Sequence, residues 1–182
     1  MPESGKKRIV IFGTESTGKT TLAQALAAHF GEPWSPEFVR EFWDLHGGKI
    51  TAADLGSIAL GQMANEEHAA ARAKRAVFLD TDLLTCTIWD DVLFPGECPA
   101  WVRAEAEQRA RKTALWLLCD TDIPFVPDPQ RSFPDAASRA NGRRLWRDAL
   151  QKRNLPFVEI YGDGEQRERL AIDAVTRLFA IA

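Results

Sequence analysis

The amino-acid sequence predicts an α/β fold in which a five-stranded parallel sheet carries helices on both faces, and three observations predict it. Short apolar runs at 8–12, 76–80, 113–120 and 156–160 recur between stretches of helical spacing, the alternation that parallel strands with crossover helices require. The first run leads directly into Gly13-Thr14-Glu15-Ser16-Thr17-Gly18-Lys19-Thr20 and then into a helical pattern. Two of the later runs end in acids, Asp80 and Asp120, at the carboxyl ends of strands where ligands sit in such sheets.

The glycine-rich segment matches the pattern G-x-x-x-x-G-K-[ST], a phosphate-binding loop. Glycines allow the tight turn that converges backbone N–H groups on phosphate oxygens, the lysine reaches the β and γ phosphates, and the hydroxyl ligates magnesium. The strand before it and the helix after it, with apolar Leu22, Leu26 and Phe30, supply the context, and the helix aims its positive end at the anion. The expected cofactors are ATP and Mg2+. Gly13, Glu15, Ser16, Thr17, Gly18, Lys19, Thr20 and Thr21 form the expected nucleotide site.

The remaining elements follow in order. The first helix stops at Gly31. Pro33 and Pro36 confine 32–37 to a short edge strand. Residues 38–46 place Phe38, Phe42 and Trp43 at helical spacing before Gly47-Gly48 ends the pattern. Thr51-Ala52-Ala53-Asp54 has the form of a capping box, with Asp in place of the usual Glu or Gln. It opens a long helix to about 74, whose expected buried stripe is Leu55, Ile58, Ala59, Met63, Ala70 and Ala73, with Glu66, Glu67, Arg72 and Lys74 facing water. A buried strand at 76–80 ends in Asp80-Thr81-Asp82. A short helix and a loop follow over 83–99, then a polar helix at 101–112 and a third buried strand at 113–120. The proline-rich stretch 123–134 is too long for a simple connector, and 123–139 is expected to be an active-site lid. A helix at 136–152, a last strand at 156–160 and an amphipathic helix at 165–180 complete the fold, a three-layer P-loop NTPase arrangement over a single domain, 1–182.

The bulk properties narrow the function. With a net charge of −3 over 182 residues, the chain has no general attraction for nucleic acid or anionic membrane. Cys86, Cys98 and Cys119 have no C-x-x-C spacing and fit reduced thiols. No apolar signal core or membrane-length run occurs. A cytoplasmic protein is expected, and homo-oligomerisation is left open.

Phosphoryl transfer needs positive charge on the migrating phosphate, a metal ion and an acceptor hydroxyl held in line. Lys19 and the loop amides can hold the phosphates, and Thr20 with Asp80 can hold the metal. Asp80, Asp82 or Glu37 can take the hydroxyl proton. Arg131 and Arg139 flank the lid, and Arg131 is the candidate to close on the γ phosphate. Glu37 and Arg40 stand one helical turn apart, where they can share a cleft or merely pair at the surface. Phe38, Trp43 and Trp89 read as core or lid packing; a cationic aromatic acceptor would instead make Trp43 and Trp89 candidates to meet its ring, because rings and carboxylates together attract a flat cation. Asp90-Asp91 reads as a solvated helix end. Gly162-Asp163-Gly164 reads as an ordinary turn or an adenine cradle. The N-K-x-D guanine signature is absent, which argues against a regulatory GTPase.

With these residues assembled, the chain resembles the ribosylnicotinamide kinase domain of the NadR family. The carriers are Gly13 to Leu22, Glu37-Phe38-Val39-Arg40-Glu41-Phe42, Ile58-Ala59-Leu60-Gly61-Gln62, Phe78-Leu79-Asp80-Thr81-Asp82-Leu83-Leu84-Thr85 and Pro124 to Ser132. The resemblance implies a nucleoside-kinase-like sheet and transfer of the ATP γ phosphate to the 5′ hydroxyl of nicotinamide riboside. The assembled site set then comprises Lys19, Asp80, Glu37 and Arg131 for catalysis. Glu37, Arg40, Trp43, Gln62, Asp82 and Trp89 would meet the acceptor. Other acceptors, or a nucleotide-binding regulatory ATPase, are the alternatives. The family's larger members carry an adenylyltransferase domain, and some a DNA-binding segment, ahead of this one; this chain is expected neither to make NAD nor to bind operator DNA. Pro129 stands where the family tends to have a glycine before the arginine, and a proline there restricts the backbone of the lid.

Overall fold

The computed structural model describes residues 5–124 and 136–180. The five strands β1 (Lys7–Phe12), β2 (Trp34–Ser35), β3 (Ala76–Asp80), β4 (Thr113–Cys119) and β5 (Phe157–Ile160) form one sheet in the order β2-β3-β1-β4-β5. Every pairing is parallel. Chain order reverses direction at β1, whose neighbours are β3 on one side and β4 on the other. The loop leaving β1 therefore opens at the topological switch point of the sheet, beside the end of β3, where Ile11 pairs with Asp80.

Strand alternation sorts the core into two layers. Ile9, Ile11, Phe78, Leu115 and Leu117 face one side and pack against Leu22 and Leu26 of α1 (Lys19–Phe30) and Ala171 and Val175 of α7 (Gly164–Ala180). Val10, Phe12, Val77, Leu79, Trp116 and Leu118 face the other, against α3 (Leu55–Arg72), α4 (Leu83–Leu93), α5 (Ala100–Lys112) and α6 (Ala136–Gln151). This is the three-layer arrangement the sequence predicts. Gly31 ends α1 in the left-handed region, as expected. The edge strand between the two prolines is only two residues long. After α2 (Phe38–Leu45), the Asp54 carboxylate accepts from both the N–H (2.8 Å) and the hydroxyl (2.7 Å) of Thr51, so Asp serves in the capping box and a 3-10 turn, Ala52–Asp54, precedes α3.

One expectation for α3 is overturned. Glu66 does not face water: it is 1% exposed and holds Arg8 and Arg109 in ion pairs, the second at 3.0 Å. Gln62 Nε2 donates to its other oxygen at 3.2 Å, and Gln62 Oε1 accepts from the Phe38 backbone at 2.9 Å. A chain of buried polar groups thus runs from β1 and α5 to the first turn of α2. Gly61 lets α2 approach, because a Cβ at that position would lie well inside contact distance of the Phe38 ring. Gly61→Ala is expected to destabilise the protein by roughly 1–3 kcal/mol, the usual cost of overpacking, read as a lowered urea midpoint. An unchanged midpoint would show that the ring swings clear without strain.

Most of the stretch read as a lid, with Pro129 and Arg131, lies outside the described residues. At its far end, Arg139 is buried and donates to the backbone oxygens of Ile123 (3.0 Å) and Ser16 (3.3 Å).

Candidate active site

The loop between β1 and α1 has the backbone its glycines anticipate. Gly13 lies at φ 145°, and a Cβ there would stand 3.0 Å from the Cys119 carbonyl, so β4 excludes any side chain. Ser16 and Gly18 both lie in the left-handed region, which turns successive N–H groups toward one point. Thr17 Oγ1 donates to the Thr14 carbonyl at 2.8 Å and ties the loop across its base. Lys19 Nζ donates to the same carbonyl at 2.8 Å, which places the ammonium over the loop. No side chain caps α1, whose first turn begins at Lys19, leaving the donors at its N-terminus to a ligand.

Asp80 closes the site from the neighbouring strand. Thr20 Oγ1 donates to Asp80 Oδ2 at 2.5 Å, while Asp80 Oδ1 is buried with no hydrogen-bond partner, as is Ser16 Oγ. A buried acceptor of this kind, beside a threonine hydroxyl, is a donor set suited to a hard divalent cation. Burial and then the nearby charge of Glu37 lift the Asp80 pKa to about 6, against the opposing pull of Lys19, the Thr20 hydroxyl and Arg40.

Glu37 immediately precedes α2 and accepts from Arg40 Nε at 3.1 Å, so the two expected cleft residues are also an ion pair. Both line two adjoining cavities. The smaller also takes in Thr20 and Asp80; the larger, about 620 Å³, extends from Glu15 and Lys19 past Trp43 and Gln62 to Thr85, Trp89 and Phe94. That volume suits a small metabolite. Two of its aromatic walls are held from behind: Trp89 packs edge-on against the core residue Trp146 at 5.1 Å, and Gly48 lets the chain pass close to the Trp43 ring. Gln62 lines the cavity with its amide committed to α2 and Glu66.

Asp82 is a correction. It does not line the cavity but caps α4, accepting from the Thr85 N–H at 3.2 Å. Burial, and next the charge of Glu66, lift its pKa to about 7. Asp90 is a second correction. Only Asp91 of that pair is a solvated helix residue, bound to Arg103; Asp90 is 6% exposed and lines the cavity. The signal was present in the sequence, since Cys86, Trp89, Asp90 and Leu93 follow the i, i+3, i+4, i+7 rule and all four line the cavity. Thr21, expected at the nucleotide, is exposed on the first turn of α1.

Sequence reasoning missed Arg167 altogether. This buried residue of α7 donates to the backbone oxygens of Thr17 (2.9 Å), Gly162 (2.8 Å) and Asp120 (3.0 Å) and pairs with Asp122. Asp122 Oδ2 in turn accepts from the Gly162 N–H at 2.5 Å. The turn at Gly162 is thereby bound to the phosphate loop.

Residues 8–167 match the family model described as AAA domain. The chain belongs to the AAA-domain family. Among its relatives, the AAA-domain chain is 29% identical over 158 residues to the trifunctional NAD biosynthesis/regulator proteins NadR of Salmonella typhimurium (strain LT2) and Escherichia coli (strain K12). The match takes in 85% of this chain and 38% of theirs, so the chain spans well under half the length of these relatives. A NadR protein solved in complex with NR shares the fold at TM-score 0.77 and 23% identity, over 95% of this chain and 50% of that one. Thymidylate kinase from Ehrlichia chaffeensis shares it at TM-score 0.66 and 12% identity, over 94% of this chain and 99% of that one. The fold is thus the P-loop fold of nucleoside and nucleotide kinases. Among the described residues, no helix is long and apolar enough to cross a membrane.

Proposed function

We propose that the protein is an ATP-dependent small-molecule kinase whose acceptor is nicotinamide riboside, phosphorylated on its 5′ hydroxyl to nicotinamide mononucleotide. The observation that carries the reading is the cavity that opens onto the phosphate loop with Glu37 at one end and Trp43 and Trp89 along its length. A regulatory nucleotide switch has no need of such a pocket. The similarity to the NadR proteins supports the choice of acceptor.

In this reading the loop amides and Lys19 hold the β and γ phosphates, and Thr20 with Asp80 would hold Mg2+. When bound, that ion neutralises charge on the phosphate oxygens during transfer. Glu37 accepts the proton of the 5′ hydroxyl as its oxygen bonds to the γ phosphorus. The bond from that phosphorus to the bridging oxygen breaks and ADP leaves. Arg40 holds the Glu37 carboxylate in place through its ion pair. Arg131 is proposed to add positive charge at the γ phosphate.

The test is ADP release from ATP and magnesium with nicotinamide riboside beside a panel of common nucleosides, with Lys19→Ala as the blank. Stimulation by nicotinamide riboside alone, lost in the blank, is the expected result. Stimulation by another nucleoside would replace the acceptor and keep the chemistry. ATP binding without stimulation by any acceptor would overturn the kinase reading. Glu37→Gln is expected to cut kcat/KM for the acceptor about a hundredfold, the lower range for a lost general base, with ATP affinity retained.

A further inference from the structure

Asp90 is a buried carboxylate in an unusual setting. It lies on the α4 face that lines the cavity, in company with Trp89, Leu93 and Phe94. Among the described residues it makes no ion pair: its neighbour Arg103 is taken up by Asp91, with one contact at 3.2 Å and a second, shorter one. The Cys98 thiol lies beside it and is pushed up to about 12 by burial first and then by Asp90; it stays protonated, and its long contact is to the Pro99 carbonyl at 3.9 Å. Burial lifts the Asp90 pKa, with the thiol and Arg103 opposing. A thiol is a weak donor and offsets little of the cost of burying a charge.

The cations of the cavity lining do not fill this role. Lys19 stands over the phosphate loop, Arg40 is paired with Glu37, and Lys49 is exposed to solvent. The lining therefore mixes Glu15, Lys19, Glu37 and Arg40 toward the phosphate loop, includes an exposed Lys49, and along α4 has a carboxylate with aromatic and aliphatic neighbours. A flat cation placed against those rings gains from the ring quadrupole and from the carboxylate together.

We propose that Asp90 is the specificity-determining counter-charge for a cationic heterocycle on the acceptor, and that it makes the enzyme select a pyridinium riboside over its uncharged counterpart. This rests on the kinase reading above and adds to it the group that reads the ring. Glu37 and Asp80 act at the hydroxyl end and leave ring charge unread; Asp90 supplies that discrimination.

The experiment compares nicotinamide riboside with its 1,4-dihydropyridine form, which keeps the ribose and the carboxamide and loses the ring charge. Dissociation constants are measured by calorimetry with a non-hydrolysable ATP analogue present, and kcat/KM beside them, for wild type, Asp90→Asn and Asp90→Glu. Wild type is expected to bind the cationic riboside about tenfold or more tightly than the neutral one. Asp90→Asn is expected to bring that ratio below about threefold by weakening the cation alone, and Asp90→Glu to retain most of it. A wild-type ratio near one, or an Asn variant that weakens both ribosides equally, overturns the assignment and leaves Asp90 a packing residue. A wild-type ratio near one overturns the assignment even if the Asn variant does not fold, and Asp90→Glu then serves as the folded comparison for a high ratio. Turnover of both ribosides with an unchanged ratio in the Asn variant removes this inference and spares the kinase. Turnover of neither by wild type removes the acceptor assignment and this inference with it.

Discussion

Asp80→Asn is expected to lower kcat by roughly a hundred- to ten-thousandfold while ATP still binds, because the substitution removes charge from the one buried carboxylate that shares a hydrogen bond with Thr20. Excess magnesium should restore part of the rate if the role of Asp80 is to hold the metal. An absence of rescue at any metal concentration would count against that role. The pH profile offers a second reading of the same group. With its pKa raised to about 6 in the ligand-free protein, Asp80 must lose its proton to take up the metal, so affinity for ATP with magnesium should rise with pH through about 6 and flatten above. The Asn variant should lack that limb. Asp82→Asn, which keeps the cap on α4, should retain it.

The same shift has a stability consequence of opposite sense. A folded-state pKa above the ordinary carboxylate value means that the folded chain holds more protons than the unfolded one between about pH 4 and 6. The contribution of Asp80 to stability is fully present below that window and is lost as pH rises through it. Asn in its place should remove this part of the pH dependence of unfolding.

The second large effect is at Arg167. Arg167→Ala leaves the carbonyls of Thr17, Gly162 and Asp120 without this donor and removes the ion pair of Asp122, which keeps its bond from the Gly162 N–H. Three lost bonds of this kind cost roughly 3–5 kcal/mol, which for a chain of this size lowers the melting temperature by roughly 10 °C. Nucleotide affinity should fall as well, because the Thr17 carbonyl is part of the phosphate loop. Arg167→Lys keeps the charge and loses the planar fork, so it should recover little of either property. A melting temperature within about 2 °C of wild type would show that water replaces the guanidinium without cost.

What the sequence made legible was whatever is written locally. The strands announce themselves as short apolar runs, the first helix stops at Gly31, and Thr51 with Asp54 marks the start of α3. The loop from Gly13 to Thr20 names its own chemistry. What stayed hidden depends on partners far away in the chain. Glu66 falls on the buried stripe by spacing, seven residues after Ala59 and three before Ala69, but its charge assigns it to water; it can be buried because Arg8 and Arg109, 58 and 43 residues distant, come to meet it. Arg167 looks like one more charge on an amphipathic helix until β4 and the phosphate loop close around it. Asp80 and Asp82 are both buried, and only the start of α4 shows that the second is a cap; for Asp90 and Asp91 the helical spacing from Cys86 to Leu93 was legible, but not the cavity it faces. The handedness of α4 aims Asp90 into that cavity and leaves Asp91 to Arg103.

Asp80 also has two neighbours of opposite sign, Lys19 on the nucleotide side and Glu37 on the acceptor side. Both sites therefore bias the ionisation of one carboxyl, and thermodynamic linkage makes the effect mutual. Whatever factor bound nucleotide contributes to acceptor affinity through this proton, bound acceptor must return to the nucleotide. On the kinase reading, each ligand's affinity should depend on whether the other is bound, through a carboxyl that changes charge at about pH 6 in the ligand-free protein.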